Sequence, residues 1–257
     1  MAFDAVDARP SGDSTGLFPV TPVRVDPRRV LVVLSSVAVL LVIAHLILVM
    51  VTMSTGHDAI VGLVAQFDLD KEVNVPSFFS TGLFLLNAPL LWMVGRIQRP
   101  EQRSKVWSCL AAVFVFLAYD EMCQIHERLV DPLRAAFHTG GVLRYPWVAA
   151  YAAPVLALVA WFFPAWRSLD SQARRALVLS GTLYVLGAVG MEMISGAYDE
   201  AVGGHTRSLA WGLLVTVEES LEMSGLISLS YALLTMLSRS SNGTPFVSVD
   251  PGSSAGM

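Results

Sequence analysis

Residues 30–53, VLVVLSSVAVLLVIAHLILVMVTM, form an uninterrupted apolar run in which His45 is the single ionisable side chain. A helix that crosses a membrane needs about 20 consecutive, mostly apolar residues, so the run predicts a membrane-spanning helix. It is too long for the apolar core of a signal peptide, and no convincing cleavage site follows it. We therefore expect it to remain in the protein as its first span.

Five further apolar runs have the length of a span, at roughly residues 77–97, 106–127, 147–166, 176–197 and 209–237. Only 15% of all residues are charged, whereas about a quarter are charged in soluble domains. The sequence thus predicts an all-α fold, a polytopic bundle of six transmembrane helices within residues 29–237. Residues 1–28 are expected to form a polar tail, and residues 238–257, rich in Ser, Gly and Pro, a disordered one.

The basic residues predict how the bundle is oriented. If the N-terminus is inside, twelve of the 17 Lys and Arg residues lie on the inner side: Arg9, Arg24, Arg28, Arg29, Arg96, Arg99, Arg103, Lys105, Arg167, Arg174, Arg175 and Arg239. Cytoplasmic loops carry an excess of Lys and Arg. We therefore predict a multi-pass protein of the bacterial inner (plasma) membrane with both tails in the cytoplasm. Nucleic-acid binding is not expected, because no basic run or basic–aromatic stripe is present.

Carboxyl groups are concentrated in three of the predicted spans. The third span ends in FLAYDEMCQIHE (116–127), the fifth contains Glu192, and the sixth contains VEESLE (217–222). The seven acids are Asp120, Glu121, Glu127, Glu192, Glu218, Glu219 and Glu222. At a rise of about 1.5 Å per residue, their depths agree with one another and with those of His126 and His45. We expect these groups to share one layer in the outer half of the membrane.

The energetic cost of these acids indicates a function. One ionised acid near the bilayer centre costs at least about 2.5–3.5 kcal/mol, and intramembrane acids commonly mark functional sites. Because several charges in one layer also repel, most are expected to be protonated or to share a bound cation. Gly187 and Gly190 are expected to allow close helix approach beside Glu192. Asp199 and Glu200 are expected to lie in a solvated outer loop.

A metal ion is the leading interpretation of the cluster. The candidate ligands are Glu121, Glu192, Glu218 and Glu222, followed by Asp120, Glu219, His126 and His45. Carboxylates with one or two imidazoles favour iron, manganese or zinc over copper(I), and we expect iron. The E-E-x-x-E pattern suits a bridged metal pair, as in glutamate-rich helix bundles. On a straight helix His126 lies about 120–140° away from Asp120 and Glu121, so only an irregular helix would direct all three at one atom.

Three functions remain open at this point. The leading hypothesis is a metal-dependent oxidoreductase, with an iron or di-iron-like site, that acts on a membrane lipid or another hydrophobic small molecule reached from the bilayer. The first alternative is a proton- or divalent-cation-coupled transporter or cation-binding membrane module. It is disfavoured because the inner halves of the spans are apolar and offer no evident path. The second is a metal-free acid–base enzyme that acts on a lipid or isoprenoid.

Three motifs carry a family resemblance. They are D-E-x4-H-E at residues 120–127, G-x-E at residues 190–192, and E-E-x-x-E-M-x-G at residues 218–225. Together they resemble an uncharacterised family of bacterial six-span membrane proteins, over roughly residues 67–237. The resemblance implies the six-span architecture and brings no activity with it.

Overall fold

A computed structural model describes residues 25–56, 62–97, 101–204 and 208–240, and these ranges contain helices and turns but no strand. The α-helices are α1 (Pro27–Thr55), α2 (Leu63–Phe67), α3 (Val75–Ile97), α4 (Glu101–Cys123), α5 (Ile125–Phe137), α6 (Trp147–Arg167), α7 (Ser171–Val185), α8 (Glu192–Ala201) and α9 (Leu209–Ser240). A π-helical segment, Leu186–Met191, joins α7 to α8, and a 3₁₀ turn, Gly141–Leu143, precedes α6. The predicted all-α fold is confirmed.

Six helical stretches in the described ranges are long and apolar enough to cross a membrane, which confirms the six predicted spans. They are Pro27–Thr55, Val75–Ile97, Arg103–Cys123, Trp147–Arg167, Ser171–Ala201 and Leu209–Ser240. The third span ends earlier than predicted, at Cys123. The fifth is longer than predicted, because α7, the π-helical segment and α8 follow one another directly. Most of the two predicted tails, residues 1–24 and 241–257, lies outside the described residues.

Polar side chains fix where several of these helices begin. Asp26 precedes α1, its carboxylate accepts the Arg28 N–H at 2.9 Å, and Pro27 occupies the first helical position. Asn74 precedes α3 and exchanges hydrogen bonds with Ser77: each backbone N–H donates to the other residue's side chain, at 2.9 and 3.1 Å. Such contacts satisfy amide groups that have no partner inside the helix.

Helix α9 is the centre of the bundle and packs against α1, α3 and α7. Its contact with α3 includes a buried polar clamp, in which the Asn87 side-chain amide donates to the Leu226 carbonyl at 3.0 Å. The Ser230 hydroxyl in turn donates to Asn87 Oδ1, also at 3.0 Å. Asn87 therefore links the second and sixth spans through buried hydrogen bonds.

The surface of the bundle is apolar where the spans have no protein neighbour. Leu40 on α1 is 64% exposed and Trp161 on α6 is 52% exposed. Monomeric soluble proteins rarely expose large contiguous apolar surfaces. These two helices therefore present the faces expected to contact lipid.

The directions in which the spans run show at which end of the bundle each connecting segment lies. Tyr184 lies beside Gly225, and Ser195 lies beside Glu218, so α7–α8 and α9 run antiparallel. The segments 62–74, 124–146 and 202–204 lie at the same end of the bundle. We call this end, which also carries the clustered carboxyl groups, the acidic end.

Candidate functional site

One large cavity, of about 1090 Å³, lies inside the bundle and extends to the acidic end. Nine carboxyl groups line it: Asp70, Glu72, Asp120, Glu121, Glu127, Glu192, Glu218, Glu219 and Glu222. The basic residues that line it are Lys71, Arg128 and the imidazole of His126. Negative groups thus greatly outnumber positive ones, as expected of a site that holds protons or a bound cation.

The structure brings together seven of the eight ligands suggested by the sequence. Asp120, Glu121, His126, Glu192, Glu218, Glu219 and Glu222 all line this cavity. They come from α4, α5, α8 and α9, so convergence depends on the packing of spans that are distant in sequence. The acids of the third, fifth and sixth predicted spans therefore line one cavity.

His45, the eighth suggested ligand, lies elsewhere. It is buried on α1, and its Nδ1 accepts a hydrogen bond from the Leu69 N–H at 3.0 Å. The same nitrogen lies 3.5 Å from Asp68 Oδ1. His45 thus attaches the segment 62–74 to the first span, and this segment brings other residues to the cavity.

An irregular backbone at the end of α4 positions His126. Gln124 has φ 54° and ψ 44°, a left-handed conformation that is uncommon for residues other than glycine. The chain turns there, and the His126 N–H donates to Asp120 Oδ1 at 2.9 Å. The imidazole Nδ1 lies 3.3 Å from Asp120 Oδ2. The turn at Gln124 therefore makes the helix irregular, and this irregularity brings His126 into contact with Asp120.

Three side chains at the acidic end have ligand atoms within 4.8 Å of one another: Glu72, His126 and Glu127. His126 Nε2 lies 3.3 Å from Glu72 Oε1 and 4.0 Å from Glu127 Oε1. We call these residues the outer triad. Of the three, the sequence singles out only His126 as a ligand. The acidic 68–72 stretch next to a span is the available signal for Glu72, and Glu127 is one of the seven acids.

The charge around His126 favours its protonated form in this arrangement. Burial lowers the pKa of His126, but hydrogen bonds to Asp120 and Glu72 and their negative charges outweigh it and raise the pKa to about 11. The residue lies beyond the end of the third span, in α5. Without a metal ion, the imidazole therefore supplies a positive charge among the carboxylates.

A second group of acids lies on α8 and α9. The Glu192 carboxylate accepts a hydrogen bond from Trp147 Nε1 at 3.1 Å, and Glu218 accepts one from the Ser195 hydroxyl at 3.1 Å. The two carboxyl groups also lie close to each other. Two neighbouring carboxylates repel unless a proton or a cation compensates their charge. We call Glu192 and Glu218 the inner pair.

The π-helical segment beside the inner pair allows two spans to approach closely. A Cβ atom on Gly187 would lie 2.7 Å from Glu222 Cγ and 2.8 Å from the Glu218 carbonyl oxygen. The close approach predicted at Gly187 is therefore present. A Cβ on Gly190 would meet only Leu186, at 3.7 Å, so the prediction does not hold there. Short π-helical segments often occur at functional sites.

The three remaining predicted ligands are also acids, and they lie close to the groups described above. Glu121, Glu219 and Glu222 also line the cavity. Each lies within electrostatic range of Glu72, and Glu222 also within range of Glu192 and His126. Neighbouring charges of one sign are thus unavoidable here unless protons or a cation compensate them.

Two acids near the site are placed differently from the prediction. Asp199 is predicted to lie in a solvated loop, but it lies in α8, is 0% exposed and forms an ion pair with Arg144. Glu200 is exposed as predicted, yet its carboxylate accepts the Gly141 N–H. These contacts attach the 3₁₀ turn and the residue after it to α8. Polar contacts between residues distant in sequence therefore stabilise this part of the acidic end.

Away from the acids the cavity becomes apolar. It is lined there by Leu110, Phe114, Val155, Leu156, Val159, Phe162, Leu177, Val185 and Val189. Leu110 lies ten residues before Asp120 on α4, about 15 Å along the helix axis. The cavity is slightly larger than the usual 300–1,000 Å³ of small-molecule sites. We call this region the apolar arm; its shape suits an alkyl or isoprenoid chain with a polar group at the acids.

Comparison with known proteins identifies a family but no activity. No curated protein and no solved structure matches the chain significantly. Residues 33–237 match the family described as Domain of unknown function (DUF8692), a match that includes all six spans apart from their outermost residues. The chain therefore belongs to the DUF8692 family.

Proposed function

We propose that this protein is a membrane-embedded, metal-dependent oxidoreductase that acts on a lipophilic substrate. The observation that carries the proposal is the single cavity that joins nine carboxyl groups and an imidazole to the apolar arm. The polar part has the donor types that bind iron, manganese or zinc. The apolar part suits a lipid or another hydrophobic small molecule.

Iron is the proposed metal, because an oxidoreductase needs an ion that changes oxidation state and zinc does not. The ion would supply redox chemistry at the acidic end of the cavity. The protein would hold the ion through carboxylate and imidazole groups, exclude bulk water and direct the substrate chain into the apolar arm. The inner pair would hold a proton close to the reacting end of the substrate.

Packing at the other end of the bundle supports an enzyme more than a transporter. Leu91, Val94, Trp107 and Leu233 are all 0% exposed there. In the described part of the bundle, this apolar core separates the acids from the far end. A transporter needs a route that reaches both sides, so the transporter and cation-binding alternatives receive less support.

A metal-free acid–base enzyme is the second candidate, and the inner pair favours it. Glu192 and Glu218 lie close to each other, and a proton held by this pair could be transferred to a lipid or isoprenoid in the apolar arm. Metal content separates the two candidates, because only the oxidoreductase requires an ion.

Metal analysis of the full-length protein, purified in detergent from iron-supplemented cells, tests the proposal. We expect about one equivalent of iron per chain or more, and an electron paramagnetic resonance signal that changes on chemical reduction. Less than about a tenth of an equivalent of any transition metal, with none taken up on reconstitution, would contradict it. Mass spectrometry of the same sample is expected to identify a bound lipophilic molecule.

We also propose that the protein lies in a bacterial inner membrane with both termini in the cytoplasm. The support is the excess of Lys and Arg in the segments at the end opposite the acids. A reporter active only in the cytoplasm, fused after Met257, is expected to be active, and a reporter active only in the periplasm to be silent. The reverse result would place the acidic end on the cytoplasmic side.

A further inference from the structure

We propose that the outer triad, Glu72, His126 and Glu127, binds a divalent transition-metal ion, with Asp120 as the residue that positions the imidazole. This inference deepens the proposed function, on which it rests for the assumption that the cavity holds a metal. It differs from the ranking suggested by the sequence, which places Glu192, Glu218, Glu222 and Glu121 first. Among the residues that the structure describes, the outer triad is the group of His, Cys, Asp or Glu side chains whose ligand atoms all lie within 4.8 Å of one another.

The spacing of the triad fits a common ion. Ligand nitrogen and oxygen atoms lie about 2.0–2.2 Å from zinc, so two ligands of one such ion lie at most about 4.4 Å apart. The separations from His126 Nε2 are 3.3 Å to Glu72 Oε1 and 4.0 Å to Glu127 Oε1. Small side-chain rotations would therefore bring all three atoms to one ion, and would leave coordination positions open toward the cavity.

Glu72 provides an independent indication of a missing partner. Its Oε2 atom is buried and has no hydrogen-bond partner in the described structure. A buried carboxylate oxygen without a partner is costly. A cation bound by both glutamates would compensate the charge of this carboxylate and would reduce the repulsion between them.

The imidazole is held as metal-bound histidines usually are. A ligating histidine typically donates its other ring N–H to a carboxylate, which fixes the tautomer and the ring orientation. Asp120 lies 3.3 Å from Nδ1 on the side away from the triad, and it also accepts the backbone N–H of His126. It is 5% exposed, so water competes little for this contact.

Glu72 is brought to the triad by a segment that three hydrogen bonds hold, two of them to neighbouring spans and one within the segment. His45 on α1 accepts the Leu69 N–H at 3.0 Å, and Trp211 on α9 donates to Asp70 Oδ1 at 3.0 Å. The Asn74 side chain donates to the Asp68 carbonyl at 2.7 Å. The segment 62–74 is therefore fixed on both sides of Glu72, which gives His45 a positioning role in place of ligation.

Co²⁺ provides a spectroscopic probe of this site that does not depend on enzyme activity. We expect the metal-free, full-length protein in detergent to bind Co²⁺ saturably, with visible d–d absorption bands. Glu72→Gln and Glu127→Gln each remove one ligand and are expected to weaken Co²⁺ binding at least about 100-fold. Asp120→Asn is expected to weaken it about 10–100-fold, as for other groups that orient a ligand. It should also shift the bands, a change that a purely structural role would not cause.

Glu222→Gln is the matched control, because Glu222 lines the same cavity outside the triad. It is expected to keep the wild-type spectrum and to change the Co²⁺ affinity far less than the triad variants do, because Glu222 lies within electrostatic range of the triad but supplies no ligand. Glu127 is half exposed, so Glu127→Gln tests the assignment even if Glu72→Gln fails to fold. Thermal unfolding of each variant identifies folding defects.

The outcomes separate this inference from the proposed function. Loss of Co²⁺ in Glu72→Gln and Glu127→Gln with retention in Glu222→Gln supports the triad. Loss in Glu222→Gln alone overturns the triad but leaves a metal-dependent oxidoreductase possible through the inner acids. Saturable Co²⁺ binding at the triad in a protein that neither contains nor takes up a redox-active metal such as iron or manganese overturns the oxidoreductase and keeps the site. No Co²⁺ binding to the wild-type protein overturns the triad.

Discussion

Replacement of Arg144 by methionine is expected to lower the free energy of unfolding by about 3–5 kcal/mol, the usual cost of removing one partner from a buried ion pair. Asp199 is fully buried and pairs with Arg144, so the variant leaves its carboxylate without this cation inside the protein. Methionine retains most of the aliphatic stem that packs beside Gly196. The loss should therefore come mainly from the charge.

The matched control is Arg29→Met. Arg29 forms an ion pair with Asp26 at 3.6 Å, but its side chain is 88% exposed, so this variant is expected to cost no more than about 1 kcal/mol. Chemical unfolding in detergent micelles, followed by circular dichroism, measures both variants. Adding Asp199→Leu to Arg144→Met is expected to recover most of the lost stability, because both members of the ion pair are then replaced by apolar side chains. Equal, small effects of the two arginine variants would show that the Arg144–Asp199 pair is not buried in the folded protein.

The six spans are predictable because each needs only a long apolar run, a property that is local in sequence. The ends of the spans are less predictable. The third span ends at Cys123 because Gln124 adopts a left-handed conformation. Neither Gln124 nor its neighbours are glycine or proline, so composition gives no warning of the turn. At this turn the His126 N–H donates to the side chain of Asp120, a contact that the apolar pattern of the span does not encode.

The convergence of the acids is predictable for a different reason. Depth in the membrane follows from counting residues along helices, and shared faces follow from helical periodicity. Residue counting alone therefore places Asp120, Glu192 and Glu218 in one layer. It does not show which acids lie within ligand distance, because a rise of about 1.5 Å per residue does not determine the rotation of each helix or its side-chain conformations.

Glu72 and Asp199 show where counting along helices fails. Glu72 belongs to a segment between spans, and its position depends on contacts of Leu69 and Asp70 with His45 and Trp211. Asp199 follows the predicted end of the fifth apolar run, where a solvated loop is the usual expectation. It is buried because its partner, Arg144, is 55 residues away in sequence. Both cases depend on tertiary contacts that local periodicity does not encode.

The tight contact between the fifth and sixth spans leads to a second large effect. Gly187→Ala is expected to lower the free energy of unfolding by about 1–3 kcal/mol, the usual cost of adding a methyl group to a packed interior. The new Cβ would lie 2.7 Å from Glu222 Cγ and 2.8 Å from the Glu218 carbonyl oxygen. The backbone oxygen cannot move without shifting α9, so the spans must separate locally.

Gly190→Ala provides the comparison, because Gly190 lies in the same π-helical segment and its new Cβ would meet only Leu186, at 3.7 Å. This variant is expected to be neutral or to gain up to about 1 kcal/mol, since alanine loses less conformational entropy on folding than glycine. Unfolding in detergent measures both variants. Similar stabilities would show that α9 does not pack closely against Gly187. A loss confined to Gly187→Ala would show that the backbone contact which places Glu218 and Glu222 in the cavity also contributes to the stability of the bundle.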